Sequence, residues 1–219
     1  MIDRTSDLVL DENGGIHGDL IVEYRTGEAL EHRLDALDTD EAGRIKQVED
    51  ELKTWLPENS VVKLGNVEGW ESDGPLTASF TIEVPGFATV SGKRVLMPTC
   101  LFAARHHSAF TAATRKYPIY FPYPFDEVDR ATIRVPAGYN IESVPPQQSI
   151  SPTPAFASYQ SASQINGKEL TIERDLEIRR ITLPPTDYSG VKDFFGKVRA
   201  DDDLQAVFRQ NDLKQSDAR

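Results

Sequence analysis

The sequence predicts a mainly β, α+β protein: antiparallel, sandwich-like sheets with one long amphipathic helix after the early strands and another helix near the C-terminus. Three observations carry this. Leu76, Ala78, Phe80, Ile82 and Val84 alternate with Thr77, Ser79, Thr81 and Glu83, the period of a strand with one wet face. Asn166-Gly167 stands between two strand-like arms, and both residues tolerate the positive φ of a type I′ hairpin. Between Ala42 and Leu56 the period changes to three and four, placing Ile45, Val48, Leu52, Trp55 and Leu56 on one helical face.

Taken in order, Leu8-Val9-Leu10 reads as a first strand, Gly14-Gly15 as a turn, and Gly18 to Tyr24 as a half-buried strand through Leu20, Val22 and Tyr24. Leu30, Leu34 and Leu37 share a helical period directly after that strand. For the long helix, Asp38 is the expected cap, Glu41 the capping-box partner, Asp40 a favourable charge and Pro57 the stop. Ser91-Gly92-Lys93 joins a short hairpin, Phe87 to Val90 with Arg94 to Met97. Pro118, Pro122 and Pro124 confine Tyr117 to Phe125 to an edge or strut, because proline has no amide hydrogen to give a sheet. Ala131, Ile133 and Val135 alternate before a turn at Pro136-Ala137-Gly138, and Ser143 to Pro154 reads as a loop. The hairpin arms run from Ala155 to Ile165 and from Lys168 to Ile178. A final helix is expected from Asp187 to Ala200, capped by Asp187, with Tyr188, Val191, Phe195 and Val198 on one face. A break in composition near Ala103 to Arg115 suggests two subdomains, 1–110 and 111–210, with a polar tail over 211–219.

Composition narrows the partners. The chain has 219 residues and carries a net charge of −11, so it lacks the basic surface that nucleic acid or an anionic membrane would require. No apolar run is long enough to span a bilayer. Met1 is followed by no targeting segment and opens almost directly onto a strand, so the chain reads as soluble and unsorted, or as an excised piece of a longer protein.

Candidate chemistry is sparse. Cys100, the only cysteine, precedes His106 and His107 in Cys-Leu-Phe-Ala-Ala-Arg-His-His. A thiol nucleophile needs a stabilised thiolate, a histidine within reach and a third group orienting it, and sequence proximity supplies none of these. An inert, small hydrophobic cysteine is the expectation. His17, His32, His106 and His107 do not form a metal-ligand set. Asp201-Asp202-Asp203 lacks the spaced ligands of a calcium loop, so capping or solvation is expected. Phosphate-loop and GxSxG motifs are absent, and no cofactor is expected. The remaining candidates are Tyr117, Tyr120 and Tyr123, with Phe121 and Phe125 beside them. Such rings can stack on a glycan or a proline-rich peptide, or serve as core against a sheet, which is the expected use.

Three segments, Arg115-Lys116-Tyr117-Pro118-Ile119, Asp126-Glu127-Val128-Asp129 and Ile133-Arg134-Val135-Pro136-Ala137-Gly138-Tyr139, follow one another in an order that resembles the C-terminal region of bacterial transglutaminase-like proteins. Glu28-Ala29-Leu30-Glu31 leading to Glu51-Leu52-Lys53, Pro85-Gly86-Phe87-Ala88, and Leu183-Pro184 ahead of Asp187-Tyr188 and Phe194-Phe195 fit the same region. The likeness spans most of residues 10–210. In such proteins a Cys-His-Asp core precedes a closing β-rich domain of unknown function. The resemblance implies a periplasmic or envelope location and carries over no catalytic residue, since no histidine follows His107.

The expected function is a non-catalytic accessory module. It would pack beside a catalytic domain of the same parent chain or another protein, or present substrate to it. The alternatives are a free-standing peptide- or glycan-binding module using the 117–125 strip, and an isolated thiol enzyme built on Cys100.

Overall fold

Alternating apolar residues set the main sheet of the computed structural model, which describes residues 1–102 and 110–211. His106 and His107, and nearly all of the polar tail, lie outside the described residues. Strands β1 (Ile2–Leu10) and β2 (Ile16–Tyr24) form an antiparallel hairpin that buries Leu8, Leu10, Ile16, Leu20, Val22 and Tyr24. Their turn places Gly14 at φ +83°, where a Cβ would stand 2.2 Å from the Ala88 carbonyl oxygen. Only glycine fits that backbone.

Helix α1 (Gly27–Asp35) and a 3-10 turn (Ala36–Asp38) follow. The leucine period is helical here, but it does not mark the core face: α1 buries Ala29 and His32 and leaves Leu30 and Leu34 exposed, and Leu37 in the turn is exposed as well. Helix α2 (Glu41–Trp55) buries Val48 and Leu52, and Leu56 just beyond it is buried too. Its cap is Asp40, which accepts a hydrogen bond from the Gly43 amide at 2.8 Å. Asp38 lies in the 3-10 turn instead, so the expected capping box with Glu41 does not form.

Strand β3 (Val61–Glu68) pairs with β4 (Leu76–Val84), whose predicted inward set is buried residue for residue. The short hairpin is β5 (Thr89–Ser91) and β6 (Arg94–Pro98). The proline strip holds only a two-residue strand, β7 (Ile119–Tyr120). Next come β8 (Phe125–Arg134), β9 (Tyr139–Ser143), β10 (Gln148–Ile150), β11 (Ala157–Asn166), β12 (Glu169–Ile178) and β13 (Thr182–Leu183). β7 pairs with β13 away from the main sheets, as a proline-limited strut must. The segment read as loop contains β10, because Gln148 to Ile150 pair with β11. In the β11–β12 hairpin Asn166 pairs with Glu169, so the connecting residues are Gly167 and Lys168. Only Gly167 has positive φ, +63°, the pattern of a type II′ loop rather than type I′.

The main sheet has eight strands in the order β10-β11-β12-β8-β1-β2-β4-β3. All neighbours are antiparallel except β1 and β8, which run parallel. Segments 1–110 and 111–210 therefore share one sheet, joined along that pair. One face stays wet and carries cross-strand ion pairs, Arg130 with Glu173 at 2.9 Å and Arg134 with Asp7 at 2.6 Å. Against the other face lies a second sheet, β5-β6-β14-β9, in which β14 (Gln205–Gln210) is a strand the sequence pattern did not reveal. Val95, Met97, Ala206 and Phe208 of this sheet join Leu8, Leu20, Phe80 and Ile133 in one apolar cluster. The two sheets are thus layered as a sandwich.

A second cluster forms under α3 (Tyr188–Asp202), where Val191, Phe194 and Val198 meet Phe156, Tyr159, Leu176 and Ile178. Phe194 is the fully buried member of the Phe194-Phe195 pair, and Phe195 stacks on Phe110 with centroids 5.0 Å apart. Asp187 occupies the cap position but makes no side-chain capping bond, because a 3-10 turn over Pro185–Asp187 leads into the helix.

Candidate functional site

Between the two apolar clusters runs a belt of charge. Strand register puts Arg4 of β1 beside Asp129 of β8, Asp129 beside Arg174 of β12, and Arg174 beside Ser161 of β11. The last turn of α3 delivers Asp201 and Asp202 onto this row. Arg4 gives Nε to Asp129 Oδ1 at 2.5 Å and Nη2 to Glu127 Oε2 at 3.3 Å. Arg174 grips Asp202 with a fork, Nε to Oδ1 at 2.7 Å and Nη2 to Oδ2 at 3.1 Å, while its Nη1 lies 3.7 Å from both Glu127 and Asp129. The Tyr159 hydroxyl lies 2.7 Å from Asp201 and 3.1 Å from Asp202, and the Ser161 hydroxyl donates to Asp201 at 2.5 Å. Arg4 lies over Trp55 and Phe102, with 4.7 and 5.1 Å to the ring centroids.

Arg4 and Arg174 expose only 1% and 5% of their surface, so each charge must be matched inside the protein. Carboxylates at a helix C-terminus also oppose its dipole, so the belt has to compensate Asp201 and Asp202 for their position as well as their burial. Tyr159 is held protonated, since burial and then the neighbouring Asp202 both push its acidity down.

Cys100 lies at the edge of the belt, lining a cavity of about 20 Å³ with Thr99, Ser161, Arg174, Asp201 and Asp202. Cys100 is half-buried as a residue, and desolvation pushes its thiol up to about 12, away from an activated nucleophile. A wider pocket of about 330 Å³ opens on its other side, between Phe87, Asp202 and Gln205. His17 is exposed on β2, whereas His32 is buried, 3.1 Å from Glu51 and edge-on to Tyr24. Among the described residues, no group of His, Cys, Asp or Glu is arranged to hold a metal ion.

The aromatic strip splits in two. Tyr117, Tyr120 and Tyr123 are exposed by 78%, 67% and 45%, while Ile119 is buried and Phe121 and Phe125 pack against the α3 cluster. Core packing, the expected use, holds for the phenylalanines and not for the tyrosines. Tyr123 hydrogen-bonds Glu28 of α1, and burial with that carboxylate pushes its hydroxyl up to about 12.

The partners in the belt are remote in sequence, yet each strand carries a local sign of them. Arg4 is in phase with buried Ile2 and Leu8, Asp129 with Ala131 and Ile133, and Arg174 with Ile172 and Leu176. A charged residue at a core phase of a strand must find a buried partner. Asp201 and Asp202, expected to be solvated or capping, supply part of that answer, while Asp203 stays exposed and pairs with Arg199 at 2.9 Å.

One carboxyl on the wet face should reveal itself through pH. Burial, followed by the charges of Asp175 and Glu177, raises Asp126 to about 6. In the unfolded chain it ionises near the ordinary aspartate value, about 3.9. Between those values the folded state binds the extra proton, so this group's contribution to stability falls as pH rises from about 4 to 6. Asp126→Asn should remove that slope. Chemical denaturation of both proteins across this range is the check, and parallel stability curves would refute the assignment.

A family model described as "Domain of Unknown Function with solved-structure structure" (DUF3858) matches residues 93–208, just over half of the chain. The match takes in Glu127, Asp129, Arg174, Asp201 and Asp202 of the belt, while Arg4 on β1 lies outside it. No curated protein matches the sequence. A crystal structure from Parabacteroides distasonis ATCC 8503, provisionally described as a protease, is similar at 16% identity with a TM-score of 0.45, over 55% of this chain and 24% of that one. The chain thus spans about a quarter of that protein's length, and a likeness at this level carries no argument about fold or activity.

Proposed function

The chain belongs to the DUF3858 family, and we propose that it serves as a non-catalytic accessory module in a transglutaminase-like protein, beside a catalytic core on the same polypeptide or a partner. The observation that supports this is the state of the interior polar groups. Asp129 and Asp202 are bound by arginine, Asp201 by two hydroxyls, and the Cys100 thiol is pushed up to about 12. These groups hold sheet to helix, and the Tyr159 and Ser161 hydroxyls are committed to the Asp201 carboxylate. The resemblance to transglutaminase-like proteins supports a periplasmic or cell-envelope location by analogy.

Exposure of Tyr117, Tyr120 and Tyr123 favours a second reading, a module that binds peptide or glycan through that strip.

One set of variants separates the readings. In a polypeptide carrying this chain with a Cys-His-Asp core, Cys100→Ser should leave activity intact, and in the isolated chain Cys100 should react with a thiol reagent only after denaturation. Large loss of activity, or prompt reaction of the native thiol, would end the accessory reading in favour of a thiol enzyme. Loss of peptide or glycan binding in Tyr117→Ala/Tyr120→Ala would favour the second reading.

A further inference from the structure

Helix α1 points its apolar residues away from the core. Leu30, Leu34 and Leu37 are 56%, 55% and 76% exposed and form a ridge along α1 and the turn after it, while Ala29 and His32 face inward. A pocket of about 430 Å³ lies between α2 and β3, lined by Ile45, Leu64, Val67 and Trp70 together with Arg44. Arg33 joins the two features: it donates to the carbonyl of Gly69, the residue before Trp70, at 2.7 and 3.0 Å. Ile45, at 41% exposed, is an apolar residue of α2 on the pocket wall.

The fringe of this surface is acidic. Glu31, Asp35, Asp38, Asp40 and Glu41 are all exposed around it. Of the two arginines at this surface, Arg33 is spent on the carbonyls of Gly69 and Gly74, and Arg44, which lines the pocket, donates to the Thr39 carbonyl at 3.2 Å and lies over the Trp70 ring. We propose that this ridge docks a partner protein's cationic amphipathic helix, whose apolar side covers the leucines and whose lysines or arginines meet the carboxylates. This rests on the accessory-module reading and adds to it the face that is used and the chemistry of what covers it. A second copy of the chain fits poorly, because a two-fold pair would set the same acidic fringe against itself in a protein of net charge −11. An anionic membrane is disfavoured by the same charge.

The test uses two synthetic helical peptides of about 18 residues with the same leucine face, one flanked by lysine and one by glutamate. Calorimetric titration of the intact chain should show saturable binding of the lysine peptide alone, weakening as salt is raised. Leu34→Asp/Leu37→Asp should weaken it about tenfold or more, and so should Glu31→Lys/Asp38→Lys. The leucines are exposed, so circular dichroism should be unchanged; Leu34→Gln/Leu37→Gln repeats the test without added charge. Equal binding of both peptides, binding of neither, or binding indifferent to the leucines overturns the proposal. Sedimentation that finds a dimer abolished by the leucine variants also overturns it, by assigning the ridge to self-association. The accessory reading is tested separately, on Cys100 in the longer polypeptide, and survives failure here.

Discussion

Arg174→Ala is expected to lower the free energy of unfolding by about 3–5 kcal/mol, the cost of leaving a buried carboxylate without its cation. The fork to Asp202, at 2.7 and 3.1 Å, would be lost at the end of α3, where the helix dipole already disfavours negative charge. Asp129 would retain Arg4, and Asp201 would retain its two hydroxyl donors, so the damage centres on Asp202. Arg174→Lys keeps the charge but not the planar fork and should recover only part of the loss. Replacing Arg174 and Asp202 together with apolar residues of similar volume should cost less than Arg174→Ala alone, because no charge is stranded. Urea midpoints of the set decide the matter. A loss below about 1 kcal/mol for Arg174→Ala, the range of surface pairs, would mean that water reaches the belt.

The sequence carried the fold where the information was local. β4 needed only its own alternation, α2 only its own period, and the β11–β12 hairpin only a glycine at the right place. What depended on distant chain was not legible. Arg4 and Asp129 are 125 residues apart, and nothing near either names the other. Asp201-Asp202-Asp203 looks like a solvated run until α3 is laid across β11 and β12. The period of Leu30, Leu34 and Leu37 marked a helix correctly, but it could not say which side meets the core: burial was settled by Ala29 and His32, small or hydrogen-bonded enough to lie close against the sheet. Of the candidate site, Cys100 could be singled out as the one cysteine of the sequence, whereas the belt beside it was not legible.

Phe194→Ala is expected to cost about 3–5 kcal/mol, as loss of a fully buried aromatic does when the site cannot collapse. Phe194 is 1% exposed and packs edge-on against Phe156 and Phe195, with centroids 5.4 and 5.2 Å away. The consequence should reach well beyond α3. Strand β12 sends Leu170 and Ile172 into the first cluster and Leu176 and Ile178 into the second, so neither cluster can lose its packing without disturbing a strand that the other needs. Trp55 and Trp70, the only tryptophans, both pack against the first cluster. Their fluorescence therefore reports on the part of the protein that the substitution does not touch. In a single cooperative unit the fluorescence midpoint in denaturant should fall by as much as the far-ultraviolet circular dichroism midpoint. Independent subdomains divided near residue 110 would instead leave the tryptophan midpoint where it was. The shared strand argues for coincident transitions, with the arginine belt acting as the seam across which the two clusters unfold together.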